Sequence, residues 1–180
     1  MGKILIAGSL NMDIVFEMER MPKPGETVMG RSLRYSPGGK GANQACAAGK
    51  LGADAAMLGY VGADANGDAL LKSLEAAGVD ISLMGISAYK PTGTAAIFVD
   101  DSGMNSIAVI PGANLECGEA YLKHCDSMFR QCDFILLQME IPASAVWYAV
   151  RRGRELGKTV ILNPAPAPNS VPKGIFEMLD

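Results

Sequence analysis

The stretch Pro37-Gly38-Gly39-Lys40-Gly41-Ala42-Asn43-Gln44-Ala45 constrains this chain more than any other. Glycines at 38, 39 and 41 remove Cβ atoms where a backbone has to pass close to something. The Ala-rich run Ala42–Leu51 that follows reads as a helix. A glycine turn opening a helix is expected to leave backbone N–H groups free, able to hold an oxygen-rich or anionic group. Two nucleotide-binding readings fail. A P-loop needs Gly where Arg34 stands, and Ser or Thr after the lysine, where Gly41 stands. A Gly-x-Gly-x-x-Gly fingerprint needs a different glycine spacing after a strand. Read alone, the cluster is equally a tight turn at a helix start.

The rest of the chain alternates strand and helix patterns. Lys3–Gly8, Ala55–Val61, Phe134–Gln138 and Thr159–Leu162 are short apolar runs that suit buried parallel strands. Helices are expected at Ala42–Leu51, Asp64–Ala77, Glu116–Arg130, Pro142–Leu156 and Pro172–Leu179. Asp64 is placed as an N-cap, with Gly78 just past the end of its helix. This order predicts one α/β domain over 1–180: a mostly parallel sheet with helices on both faces. Two pairs interrupt the rhythm. Asp13–Arg20 and Thr27–Tyr35 alternate across the Pro22-Lys23-Pro24-Gly25 turn. Thr94–Val99 and Asn105–Ile110 form a hairpin across Asp100-Asp101-Ser102-Gly103. Together they predict a small second sheet inserted at about 13–35 and 94–110.

Composition narrows the class. Apolar residues make 49% and charged residues 19%, so the chain can bury a core. A net charge of −3 provides no electrostatic footprint for nucleic acid or an anionic membrane, and no apolar run reaches bilayer length. Cys46, Cys117, Cys125 and Cys132 form no Cys-x-x-Cys pair, and His124 beside Cys125 is the sole hint of a metal site. Buried free thiols in a reducing cytoplasm are the expectation.

Several further segments occur in one order: Gly8-Ser9-Leu10-Asn11-Met12-Asp13, Pro22-Lys23-Pro24-Gly25-Glu26-Thr27, Gly59-Tyr60-Val61-Gly62-Ala63-Asp64, Thr92-Gly93, Pro111-Gly112-Ala113-Asn114, Gln138-Met139-Glu140-Ile141-Pro142 and Asn163-Pro164-Ala165-Pro166. With the glycine-rich stretch, this pattern resembles the ribokinase-like (PfkB) carbohydrate kinase family over nearly the whole chain. The resemblance implies ATP-dependent phosphorylation of a sugar primary hydroxyl, D-ribose to D-ribose 5-phosphate first. It implies ATP as co-substrate and Mg2+, with K+ as a further candidate. It also implies a lid formed by the small sheet, and a homodimer through that lid.

In open α/β sheets, ligands bind beyond the carboxyl ends of the strands. Asn11 and Asp13 follow the first strand, two apart and so on one side of an extended segment. Read alone they form an Asx turn, or they hold neighbouring hydroxyls, one donating and one accepting. Glu140 is a helix-start charge or a hydroxyl acceptor, and Lys40 a surface lysine or a hydroxyl donor. The resemblance assigns Asn11, Asp13, Gly39, Lys40, Asn43 and Glu140 to sugar binding, and Ala95 to an apolar wall. It places Asn163 near the phosphate and metal region; read alone, Asn163 is a turn former before Pro164. The family's base lies on a later Gly-Ala-Gly-Asp segment that this sequence lacks, so no catalytic residue is assigned within 1–180. The chain therefore resembles the N-terminal, sugar-binding side of such an enzyme, before its C-terminal nucleotide-binding part. Alone it is expected to be inactive and to leave an unpaired sheet edge along 159–162. The alternatives are a kinase for another sugar or nucleoside, or a non-catalytic sugar-binding and dimerising module.

Overall fold

The computed structural model describes residues 2–180. Its main sheet is parallel, in the order β10-β9-β1-β4, built from β1 (Ile4–Ala7), β4 (Ala55–Leu58), β9 (Phe134–Gln138) and β10 (Thr159–Asn163). Alternate residues of β1 face opposite sides, so each side acquires its own core. Ile6 packs with Ala42, Ala45, Leu70 and Leu74 from α1 (Lys40–Lys50) and α2 (Ala65–Ala76). Leu5 and Ala7 pack with Leu122, Phe129, Trp147 and Val150 from α3 (Glu119–His124), α4 (Asp126–Gln131) and α5 (Ala143–Glu155). Helices thus cover both faces of a parallel sheet, as the run of short apolar strands requires.

The second sheet has the order β3-β2-β7-β8, from β2 (Asn11–Met18), β3 (Gly30–Gly38), β7 (Gly93–Val99) and β8 (Asn105–Ile110). Its centre is a parallel pair, Asn11 opposite Gly93 and Asp13 opposite Ala95. The outer strands pair antiparallel. Asp64 caps α2, accepting from Gly67 N–H at 2.9 Å and from Thr92 N–H at 2.8 Å. Among the described residues no helix is long and apolar enough to cross a membrane.

Four sequence expectations change. The strand expected over 55–61 breaks at Gly59, and β5 (Tyr60–Gly62) leaves the main sheet to pair with β6 (Gly85–Ser87), guided by the Gly85 N–H to Gly59 carbonyl bond of 2.9 Å. The helix expected over 116–130 is a 3₁₀ turn at Gly112–Glu116 followed by α3 and α4. Extended Gly118 separates the first two pieces, and Cys125, at ψ 19, offsets the last two. Residues 172–179 form turns and a short 3₁₀ segment at Phe176–Met178 rather than a helix, with Ile175 buried against the core. The outer edge of β10 is partly paired. Asp180 folds back, its carboxylate accepting from Val160 N–H at 2.9 Å and its N–H donating to the Val160 carbonyl at 3.0 Å.

Candidate functional site

β1 and β9 are neighbours, so the loops leaving their carboxyl ends meet. The first carries Ser9 and the second Glu140, which are 131 positions apart in sequence. The Ser9 hydroxyl donates to Glu140 Oε2 at 2.6 Å. β3 runs into α1 with only Gly39 between them, which brings Lys40 to the same spot. Lys40 N–H donates to Glu140 Oε2 at 3.0 Å, and the Lys40 ammonium lies 2.6 Å from Oε1.

These contacts correct the expectation of free N–H groups at the glycine-rich helix start. Lys40 N–H is held by Glu140, Gly41 N–H points to the Ser9 hydroxyl at 3.4 Å, and Ala42 N–H donates to the Ser9 carbonyl at 2.9 Å. An internal carboxylate already complements the positive end of α1. The glycines bring this helix against the β1–β2 loop, and the start of α1 is no anion cradle.

Asn11, Asp13, Gly39, Lys40, Asn43, Ala95 and Glu140 all line one cavity of about 160 Å³. Its remaining lining is Ile97, Ile107 and Val109. One wall is therefore polar and the other apolar. Asp13 and Glu140 supply acceptors; Asn11, Lys40 and Asn43 supply donors. A second hollow of about 310 Å³ shares Asn11 and Glu140 but is otherwise mostly apolar, with Leu115, Met139 and Pro142 among its lining. Asn163 stands apart from the polar cavity, at the carboxyl end of edge strand β10.

The two carboxylates are tuned in opposite directions. Burial pushes the Asp13 carboxyl up, the negative Glu140 adds to this, and Lys40 offsets part of it. Burial also works to raise Glu140, but the hydrogen bonds from Lys40 and Ser9 outweigh it and hold it below the ordinary value. Glu140 thus contributes stability that is present above its unfolded pKa and is lost as pH falls through the folded one. Asp13 does the reverse. Its raised folded pKa means that the native state binds more protons, so the ionised group penalises folding at neutral pH. Asp13→Asn should accordingly raise the urea midpoint at pH 7. That gain should shrink as pH falls through the folded pKa of Asp13 toward its unfolded value of 3.8. Equal midpoints at pH 7 would remove this electrostatic account.

Sequence reasoning assigned no role to two residues that build the site. Ser9 is fully buried and holds Glu140, and Asn114 is 1% exposed and bonded to Asn11 at 2.8 Å. Both lie inside motifs that the sequence displays, and the available signal was a polar residue set among glycines and apolar neighbours. The cysteines take no part. Burial pushes the Cys117 thiol up to about 12 and that of Cys132 to about 11, so neither is a thiolate nucleophile near neutrality.

The family model for pfkB family carbohydrate kinases matches residues 1–179. Ribokinase of Bacillus subtilis is 42% identical over 167 residues, covering 93% of this chain and 57% of the relative. Deoxyribokinase of Salmonella typhimurium is 36% identical over 164 residues, covering 91% of this chain and 54% of the relative. The chain therefore spans little more than half the length of these relatives. Among solved structures, Arabidopsis thaliana ribokinase complexed with ribose and ATP superposes with a TM-score of 0.90 at 31% identity, covering 99% of this chain and 58% of that one.

Proposed function

The chain belongs to the pfkB family of carbohydrate kinases, and on that footing we propose that the complete protein transfers a phosphoryl group from ATP to the primary hydroxyl of a monosaccharide, D-ribose first, with this chain supplying the sugar-binding residues. The observation that carries the reading is the single cavity lined by Asn11, Asp13, Lys40, Asn43 and Glu140 on one side and by Ala95, Ile97, Ile107 and Val109 on the other. A sugar has the same two characters, hydroxyls on its edge and C–H groups on its faces.

In this reading Asp13 accepts from one sugar hydroxyl and Asn11 donates to a neighbouring one. Glu140, held by Ser9 and Lys40, fixes the position of the helix start beside them. The start of α1 does not fit the phosphates of ATP. The first N–H groups of α1 already have acceptors, and no three metal-ligating side chains meet among the described residues. ATP, Mg2+ and K+ belong to the proposal as what such kinases use, and no step is routed through them here. Asn163, at the end of β10, is proposed to border that nucleotide region.

The test is calorimetry of the full-length protein against D-ribose, 2-deoxy-D-ribose, D-fructose and adenosine, followed by coupled turnover with ATP. Micromolar to millimolar binding of D-ribose ahead of the others is expected. Preference for 2-deoxy-D-ribose would move the assignment to the activity named for the Salmonella relative. Failure of every sugar to bind would end the sugar-kinase reading.

We also propose that the second sheet acts as a lid and as a homodimer interface. Its edge strands are open. Leu33 and Tyr35 on β3, and Ile107, Val109 and Ile110 on β8, are 48–63% exposed. Open edges with apolar side chains are templates for association. Light scattering at micromolar concentration should give a dimer, and Leu33→Glu with Tyr35→Glu should shift it toward monomer. A strictly monomeric wild type counts against the interface.

A further inference from the structure

Asn114 makes three side-chain hydrogen bonds in a buried position. Its Oδ1 accepts from Leu10 N–H at 2.9 Å, and its Nδ2 donates to the Leu10 carbonyl at 2.9 Å and to Asn11 Oδ1 at 2.8 Å. The first two bonds settle which end of the amide is which. A backbone N–H can only donate and a carbonyl can only accept, so Asn114 can sit against Leu10 in one sense only. Its second amide hydrogen then meets Asn11, and only an oxygen can accept it. Asn11 must turn its Oδ1 toward Asn114 and its Nδ2 away. That bond is the one side-chain hydrogen bond Asn11 makes among the described residues, and Asn11 lines the polar cavity.

The strand pairing protects this arrangement. Gly93 lies opposite Asn11 across β2 and β7. A Cβ at Gly93 would lie 2.2 Å from Asn11 Oδ1 and 2.3 Å from Asn114 Nδ2. Any side chain there would collide with the amide pair. The Thr92-Gly93 and Pro111-Gly112-Ala113-Asn114 motifs therefore converge on one feature, the orientation of the Asn11 amide.

We infer that Asn114 is a positioning residue for the sugar site: it locks Asn11 as a hydrogen-bond donor toward the cavity, beside the acceptor Asp13, so that the site reads a pair of neighbouring hydroxyls with fixed polarity. The inference rests on the proposal that this cavity takes a sugar. It extends that proposal to a residue whose ligand contact is only through Asn11.

A double-mutant cycle on the full-length protein, read as the Kd for D-ribose by calorimetry, tests it. Asn11→Ala should weaken binding about tenfold, the scale of one lost hydrogen bond in a desolvated site. Asn114→Ala should do about the same, and the double variant should bind no more weakly than either single one. Penalties that multiply would overturn the inference, because a purely structural role adds to the loss of Asn11 rather than acting through it. No effect of Asn11→Ala on a ribose-binding protein would overturn the inference while leaving the remaining site intact. A wild type that binds no sugar overturns the sugar-site reading itself. Should Asn114→Ala fail to fold, Asn114→Asp keeps the acceptor for Leu10 N–H and loses both Nδ2 bonds, to the Leu10 carbonyl and to Asn11 Oδ1, so that an oxygen faces Asn11. It should fold and bind ribose about tenfold or more weakly, and full affinity would overturn the lock. Side-chain amide exchange in the ¹⁵N-labelled wild type provides a readout without mutation. The Asn114 NH2 protons should be protected with or without ribose, and those of Asn11 only with it. Equal protection of both in the absence of sugar would overturn the assignment.

Discussion

Gly39→Ala should cost about 2–6 kcal/mol of folding stability and remove sugar binding with it. Gly39 is the whole connection between β3 and α1, and it sits at φ 88, ψ 134. Side-chain-bearing residues avoid that backbone region, and holding one there costs about 1–3 kcal/mol. The second contribution is steric. A Cβ would lie 2.8 Å from Asn11 N and from the Ser9 carbonyl oxygen, and 2.9 Å from Leu10 Cα. All three are backbone atoms, of the β1–β2 loop and of the first residue of β2, and they cannot swing aside as a side-chain tip can. Overpacking of this kind typically adds about 1–3 kcal/mol. The same shift would move Lys40 N–H off Glu140 and part the loop from the helix, so the cavity would lose its shape along with the fold. Gly52→Ala is the matching control. Gly52 also has a positive φ of 83, but nothing lies within 4 Å of its would-be Cβ. It should lose only about 1 kcal/mol. Urea unfolding followed by circular dichroism separates the two, and equal losses would show that the close approach at Gly39 relaxes freely.

The second large effect is functional. Asp13→Ala in the complete enzyme should lower kcat/KM for D-ribose about ten- to a hundredfold, the equivalent of a hydrogen bond to a charged group at roughly 1.5–3 kcal/mol. Asp13 stands on β2, between Ser36 of β3 and Ala95 of β7, on the same side of the strand as Asn11. Its carboxylate faces the cavity in a half-buried setting that already includes Glu140, and that setting raises its pKa. An ionised acid kept there costs stability, and the cost is offset in function when a sugar hydroxyl donates to it. Loss of sugar use should therefore come with no loss of stability at pH 7. That combination separates a ligand-binding acid from a structural one, whose removal would weaken the fold. Unchanged ribose kinetics in a folded variant would return Asp13 to a solvated strand-start residue.

Much of this architecture was legible in the sequence. The short apolar runs at 3–8, 134–138 and 159–162 suited strands of a covered parallel sheet, because their residues have no polar alternation. The alternating pairs at 13–35 and 94–110 announced a second, half-exposed sheet for the opposite reason. Local signals also placed Asp64 as a cap, because capping is decided within one helical turn. Where local signals conflicted with distant packing, the packing won. The run through Gly59 was split by a pairing with residues 85–87, and the helix expected over 116–130 was broken at Gly118 and Cys125.

The site divides along the same line. Its candidate residues came from the family resemblance, with Asn11, Asp13 and Glu140 also marked by their strand-end positions; the fold brings Asn11, Asp13, Gly39, Lys40, Asn43, Ala95 and Glu140 to one cavity and leaves Asn163 apart. Their polarity was not readable. That the start of α1 is closed by Glu140, that Ser9 holds that carboxylate, and that Asn114 turns the Asn11 amide each depend on pairs about 100 or more positions apart. A sequence shows which groups are available to donate and accept. Which of them are already taken is decided only when the parallel register of β1 with β9, and of β2 with β7, brings distant loops within 3 Å of each other.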